Sequence, residues 1–288
     1  MTASLHTAEN QHVEVDGVQL AYREIGTDTG VPLVMVSRFR ASIDDWDPAV
    51  VDRLATDRRV IVFDNTGIGF SEGDVQPTVR KMAEVAISFV EALGLTEVDL
   101  LGFSLGGFVT QRFTLTRPDL VRSVVLVGTG GGGGEGAVAP DREKLMSLMA
   151  RPEPSVEALQ ALFFSSDAAG HEAAQTYWDN IYSSRRRPES DVSLDAAKVQ
   201  LGALGAFAAG DDSTLPEADR IQQPVLIVNG DNDIMVPTPN SFLLSQKIPN
   251  AQLIVYPNSG HGSLFQYPEA FTRDVLGFLR AQENDGLR

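Results

Sequence analysis

Cysteine does not occur in the 288 residues. That excludes disulfides and thiolate metal sites, and it fits a reducing compartment, so a cytoplasmic location is expected. Histidine is scarce as well: His6, His12, His171 and His261 are the whole complement. No two of them have the His-x-x-x-His spacing, so no histidine metal site is expected. Basic residues are outnumbered, 23 Lys and Arg against 39 Asp and Glu, for a formal net charge of -16. Such an acidic chain disfavours a nucleic-acid partner, because phosphate binding needs clustered cations. The one strong basic run, Arg185-Arg186-Arg187, reads as a solvated helix end. No apolar run approaches the length of a membrane span. Residues 1–10 are polar and lack the apolar segment of a secretory signal. No membrane partner is expected.

A chain of this length can bury a large core without staples. Residues 13–15 and 18–23 flank Asp16-Gly17, which predicts a β-hairpin with a type I′ turn. Residues 32–37, 59–64, 98–103, 121–127, 224–230 and 251–256 are short apolar runs, of the kind expected for strands buried on both faces. Between them lie helical patterns at 48–55, 77–93, 105–117, 239–248 and 268–281. The second carries Met82, Val85, Ala86, Phe89, Val90 and Leu93 on one face. This alternation predicts an α/β fold: a mostly parallel eight-stranded sheet with an antiparallel N-terminal edge hairpin and helices on both faces. Ligands of such sheets sit beyond the C-terminal strand ends. Ser37, Asp64, Ser104 and Thr129 fall at those ends.

The alternation breaks at five consecutive glycines, residues 130–134. From there to about residue 216 the patterns are helical only, at 141–150, 155–164, 171–186 and 193–208. A helical cap inserted after the sixth strand is therefore expected over residues 132–215, with 1–131 and 216–288 as the core. The glycine run reads equally well as a hinge or as a plain surface loop.

The segment Gly102-Phe103-Ser104-Leu105-Gly106-Gly107 has a strand before it and a helix after it. That is the context of a Gly-x-Ser-x-Gly nucleophile elbow. The turn strains the serine backbone, and side chains two residues to either side would collide with the neighbouring strand or helix. Three further segments follow other strands: Asp64-Asn65-Thr66-Gly67-Ile68-Gly69-Phe70-Ser71, Gly230-Asp231-Asn232-Asp233-Ile234-Met235-Val236-Pro237, and Ser259-Gly260-His261. Together the four resemble the α/β-hydrolase fold family over nearly the whole chain. The resemblance implies Ser104 as nucleophile, His261 as base and an acid that orients the imidazole, in the order Ser…Asp…His. A serine hydroxyl needs such a base to become reactive. Asp233 is the preferred acid; Asp231 and Glu135 are the other candidates. No cofactor is implied.

The resemblance places one oxyanion donor on the backbone N–H of Leu105. The second should follow Ser37, where the family commonly has His-Gly-x and this chain has Ser37-Arg38-Phe39. By position Phe39 supplies that N–H, although Arg38 reaches glycine-only backbone angles only at a cost. Arg38 and Arg40 either face the pocket or pair with Asp44, Asp45 or Asp47, and pairing is favoured. In the insertion, Leu159, Phe163, Phe164, Tyr177, Trp178, Ile181 and Tyr182 either wall a pocket or pack the insertion down. Arg38, Phe103, Trp178 and Tyr182 are the candidate pocket residues.

The implied function is a serine hydrolase that cleaves a small carboxylic ester or lactone through an acyl-enzyme. Carbon–carbon bond hydrolysis and haloperoxidase-like perhydrolysis share the triad and stay open. A receptor-like protein that binds a ligand and makes little use of its triad is the alternative from another class. Epoxide hydrolysis and dehalogenation are disfavoured, because those resemblances require aspartate at position 104. Oligomeric state is left open.

Overall fold

The computed structural model describes residues 4–27, 30–149, 155–182 and 191–285. The Arg185-Arg186-Arg187 run lies outside them. At Asp16-Gly17 both φ values are positive, 50° and 85°, as a type I′ turn requires. That turn joins β1 (Gln11–Val15) to β2 (Val18–Ile25). The other strands are β3 (Leu33–Val36), β4 (Val60–Phe63), β5 (Val98–Phe103), β6 (Val121–Val127), β7 (Val225–Gly230) and β8 (Ala251–Tyr256). They form one sheet in the order β1-β2-β4-β3-β5-β6-β7-β8. β2 pairs antiparallel with β1 and β4, and all remaining pairings are parallel.

Every residue of β3, β4, β5 and β7 is buried. Successive strand side chains point to opposite faces, so a continuous apolar run fills two cores at once. Val34, Ile61, Leu100, Leu126 and Ile227 face one core, with α2 (Val79–Ala92), α3 (Leu105–Thr116) and α8 (Thr238–Lys247). Leu33, Val62, Leu101, Val125 and Val228 face the other, with α1 (Pro48–Leu54), α9 (Ser263–Gln266) and α10 (Pro268–Asp285).

Between β6 and β7 the described residues form four α-helices, α4 (Arg142–Met149), α5 (Val156–Phe163), α6 (Ala168–Tyr182) and α7 (Leu194–Ala209), followed by a 3-10 turn at Leu215–Arg220. Of these, α5, α6 and α7 divide between the two cores. Phe163, Ala174, Tyr177 and Ile181 of α5 and α6 join the α1/α10 side. Ala203 and Phe207 of α7 join the α2/α3 side, where Phe207 stacks on Phe108 at 4.4 Å between ring centres. The insertion therefore straddles the sheet at the strand ends.

The glycines at 130–134 are packed more tightly than either a hinge or a surface loop would be. A Cβ on Gly131 would lie 2.8 Å from Leu215 Cβ, one on Gly132 2.7 Å from the Phe207 ring, and one on Gly133 2.4 Å from the Ala208 carbonyl. The Gly131 carbonyl accepts from the N–H groups of Thr214 and Leu215 and from Ser213 Oγ. The run is glycine because α7 and the segment after it pass directly over its backbone.

One substitution therefore has opposite effects at two glycines. Gly132 has φ +88° and no room for a methyl group, so Gly132→Ala should cost about 2 kcal/mol or more. Gly202, in α7, has nothing within 4 Å of its would-be Cβ, so Gly202→Ala should gain about 0.5–1 kcal/mol. Urea unfolding of both variants checks this; equal signs would refute the packing account.

Candidate active site

Ser104 has φ 57° and ψ -117°, a region that costs a non-glycine residue about 1–3 kcal/mol. The surroundings hold it there. Its N–H donates to the Val127 carbonyl at 2.9 Å, and its own carbonyl accepts from Gly107 N–H at 2.8 Å. A Cβ on Gly102 would stand 2.3 Å from the Gly106 carbonyl oxygen, and one on Gly106 would stand 2.0 Å from that of Val36. Both glycines are thus required by the close seating of α3 on the ends of β5 and β3.

His261 and Asp233 reach each other from separate loops. His261 Nδ1 lies 2.7 Å from Asp233 Oδ2, and both side chains are buried. Asp233 Oδ1 accepts from the N–H groups of Met235 and Val236, at 2.8 and 2.9 Å. The carboxylate is therefore fixed by its own turn before it meets the imidazole. With Nδ1–H donating to Asp233, the lone pair falls on Nε2. That buried Nε2 has no hydrogen-bond partner among the described residues.

The other two candidate acids stand elsewhere. Asp231 accepts from the N–H groups of Asn258 and Ser259, at 2.9 and 3.0 Å. Burial works to raise its pKa, but these donors outweigh it and the net shift is downward. Asp231 thus pins the backbone of the histidine loop rather than the imidazole. Glu135 is exposed.

Aromatic rings enclose the imidazole. Phe103 lies 5.1 Å and Phe163 5.6 Å from it between ring centres. Phe163, the last residue of α5, also accepts Gly262 N–H on its carbonyl at 2.8 Å. A Cβ on Gly262 would approach Phe163 Cβ to 2.7 Å. The ring from the insertion that meets His261 is therefore Phe163. Trp178 and Tyr182 instead stack on each other at 3.9 Å, while the buried face of α6 is Gly170, Ala174, Tyr177 and Ile181. The sequence lists Phe163 among seven apolar residues of the insertion, and spacing alone does not single it out.

Arg38 pairs with Asp45 at 3.4 Å, one of the three carboxylates the sequence leaves open. It also reaches Tyr177 Oη at 3.3 Å and lies 5.1 Å from the centre of the Phe163 ring. Tyr177 donates to the Asp45 carbonyl at 2.8 Å; burial, the main cause, pushes its phenol up to about 12. The left-handed backbone of this loop falls on Arg40, with φ 52°, and not on Arg38. The strain expected at Arg38 is therefore displaced two residues onward. Arg40 N–H donates to Gln200 Oε1 at 2.9 Å. Gln200 was missed by sequence reasoning, yet it carries a signal. It is a lone amide on a face of α7 otherwise buried through Ala196, Ala197, Ala203 and Phe207. Phe39 packs half-buried against the α2/α3 core.

Residues 31–268 match a family model described as the α/β hydrolase fold. The chain belongs to that family. Among its relatives, a 2-hydroxy-6-oxononadienedioate/2-hydroxy-6-oxononatrienedioate hydrolase of Pseudomonas putida is 34% identical over 275 residues, 91% of this chain and 92% of that one. A poly(3-hydroxyalkanoate) depolymerase of Ectopseudomonas oleovorans is 27% identical over 258 residues, 87% and 85% of the two chains. Among solved structures, an α/β-hydrolase fold protein from Chitinophaga pinensis superposes with a TM-score of 0.87 at 33% identity, covering 96% of this chain and 99% of that one.

No helix of the described residues in this hydrolase is long and apolar enough to cross a membrane. Among the same residues, no three His, Asp or Glu side chains gather as a metal would require. The acidic run after the Arg38 loop divides its work. Asp44 forms a buried pair with Arg23 at 2.6 Å. Asp45 closes a capping box with Ser42 and holds Arg38. Asp47 caps α1 and accepts from Asn180 of α6 at 2.9 Å.

Asp64, at the end of β4, accepts from the N–H groups of Ile43 and Phe70, at 2.8 and 3.0 Å. It is fully buried, and that burial pushes its carboxyl up to about 7 despite the two donors. In the unfolded chain it releases its proton near 3.8. Between these values the native hydrolase binds the extra proton, so stability should fall as pH rises through this window and level off above it. Asp64→Asn should remove a slope approaching one proton, about 1.4 kcal/mol per pH unit. Urea unfolding of both proteins across the window measures it; parallel profiles would refute the assignment.

Proposed function

We propose that this hydrolase is a cofactor-independent serine hydrolase that cleaves a small carboxylic ester or lactone through an acyl-enzyme. The observation that carries the reading is the buried His261–Asp233 pair beside the loop after β6, with Nε2 left without a hydrogen-bond partner among the described residues. Gly128 of that loop, where a Cβ would lie 3.1 Å from both His261 and Phe103, keeps the imidazole close to the residue before Ser104.

In this reading Ser104 Oγ attacks the substrate carbonyl while His261 Nε2 takes its proton. Asp233 stabilises the imidazolium that forms. The N–H groups of Leu105 and Phe39 stabilise the oxyanion. The tetrahedral intermediate expels the alkoxide, which receives the proton from His261 and leaves as the alcohol. Water then attacks the acyl-enzyme, giving its proton to Nε2, and the second collapse returns that proton to Ser104 as the carboxylic acid departs. For a lactone, alcohol and acid are the two ends of one product. Residues 132–215 act as the cap over this chemistry, and 1–131 with 216–288 as the core that holds it. Phe163 then borders the substrate space, with Arg38 beside it, and Trp178 and Tyr182 lie farther along α6.

A second reading, hydrolysis of a carbon–carbon bond in a diketone-like acid, is favoured by the 34% identity to the Pseudomonas putida protein, whose name is that of such a hydrolase. A panel of aryl esters, lactones and vinylogous diketo acids discriminates the two. The ester reading expects turnover of the first two classes. Turnover of the third class alone would replace it.

Ser104→Ala should lower ester turnover by on the order of 10⁴-fold or more. Asp233→Asn should lower kcat by on the order of 10³–10⁴-fold, through loss of the imidazole's partner. Asp231→Asn should leave kcat within about 10-fold and instead lower the melting temperature, because its contacts are to the backbone of the histidine loop. Steady-state kinetics and thermal unfolding check all three. Full activity in Ser104→Ala would overturn the reading, and a larger kcat loss in Asp231→Asn than in Asp233→Asn would reassign the acid.

A further inference from the structure

We propose that Arg38 and Gln200 are positioning residues for the second oxyanion donor, holding by side-chain contacts the loop that a glycine at position 38 would shape by backbone freedom. The inference rests on the ester-hydrolase reading given above.

The peptide unit between Phe39 and Arg40 is gripped at both ends. Its carbonyl accepts from Arg38 Nη1 at 3.0 Å, and its N–H donates to Gln200 Oε1 at 2.9 Å. The same Arg38 nitrogen reaches the Arg40 carbonyl at 3.4 Å. On the other side, Ser37 Oγ accepts from Trp46 Nε1 at 2.9 Å. A loop fixed at the Ser37 side chain and again at the Phe39–Arg40 peptide leaves little freedom to the two peptides between them, Ser37–Arg38 and Arg38–Phe39. The second of these carries Phe39 N–H.

Neither grip is loose. The Arg38 guanidinium is itself held by Asp45, Tyr177 and the Phe163 ring. The Gln200 residue is 5% exposed, and burying an amide is costly unless it is hydrogen-bonded. The grip also has something to hold: Arg40 is kept at φ 52°, which side chains disfavour. Ser37, Arg38, Leu105 and Gln200 line one cavity. The gripped loop and the residue that carries the first donor thus face the same space.

A misplaced donor loses transition-state stabilisation and spares ground-state binding. Gln200→Met keeps the volume of the side chain and removes the amide oxygen. It should lower kcat for an ester substrate by about 10–100-fold, the scale of a misplaced group or a weakened oxyanion donor. KM should stay within about 3-fold, since the contact is not to the ground state. Affinity for a trifluoromethyl ketone, which forms the oxyanion on Ser104, should fall by a factor similar to that in kcat. Affinity for the matching secondary alcohol, which forms none, should not change. Arg38→Met should show the same split. If its lost pairing with Asp45 unfolds that protein, Gln200→Met decides alone, with circular dichroism and melting temperature as its fold check. Unchanged kcat in a folded Gln200→Met overturns the proposal. So does an equal loss of affinity for ketone and alcohol, the mark of a merely structural role. Ser104→Ala, run in parallel, separates the two levels. If Ser104→Ala is inactive and Gln200→Met is not impaired, only this proposal falls. If wild type and Ser104→Ala turn over the ester equally, the hydrolase reading falls and takes this one with it.

Discussion

The close seating of α3 on the ends of β3 and β5 is the constraint from which the rest of the site follows. Gly106 lies so near the Val36 carbonyl that a methyl group would stand 2.0 Å from it. Without that approach the helix would start farther from the sheet, and the turn before it would relax. With it, Ser104 is forced to φ 57°, and its strain of about 1–3 kcal/mol is offset by the packing and hydrogen bonds around the turn. The same approach places the Leu105 end of α3 against the loop after β3. The strained serine and the seating of Leu105 against that loop thus depend on one steric fact.

The polar residues around this frame are sorted by what they hold. Asp231 and Asp233 are two positions apart in sequence, yet one fixes backbone and the other fixes a ring. The division follows from the turn. Met235 and Val236 N–H groups close on Asp233 Oδ1 and aim Oδ2 at His261. Asp231 leaves the end of β7 toward Asn258 and Ser259, and so fixes the loop that carries His261. Asp233 orients the imidazole, and Asp231 orients the peptide that presents it.

The sheet and its helices were legible because their determinants are local. Asp16-Gly17, the apolar runs, and the glycines at 102 and 106 each state a backbone requirement that neighbouring residues cannot evade. The positions of Ser104, Asp233 and His261 at strand ends were legible for the same reason. The insertion was not legible in this way. Its amphipathic spacing specifies helices but not which ring meets His261, because that depends on how α5 docks across roughly a hundred residues of intervening chain. The glycine run misled for a related reason. Glycine marks either freedom or close approach, and the difference resides in Leu215, Phe207 and Ala208, which the local sequence does not bring to it. The Arg38 loop lay between these cases: pairing with the acidic run was readable, the shift of the left-handed residue to Arg40 was not.

The insertion touches both halves of the catalytic frame through different helices. Phe163 of α5 packs on the His261 loop, and its carbonyl accepts Gly262 N–H. Gln200 of α7 holds Arg40 in the loop opposite Leu105. Tyr177 of α6 links the two through Arg38 and the Asp45 carbonyl. His261 is fully buried beneath these contacts. Displacing α5 or α6 removes packing from the imidazole and a partner from Arg38 together. The packing of His261 and the order of the Arg38 loop are therefore linked through the same helices. In the ester-hydrolase reading proposed above, such a frame lets binding energy from parts of the substrate remote from the carbonyl set the geometry at the reacting atoms.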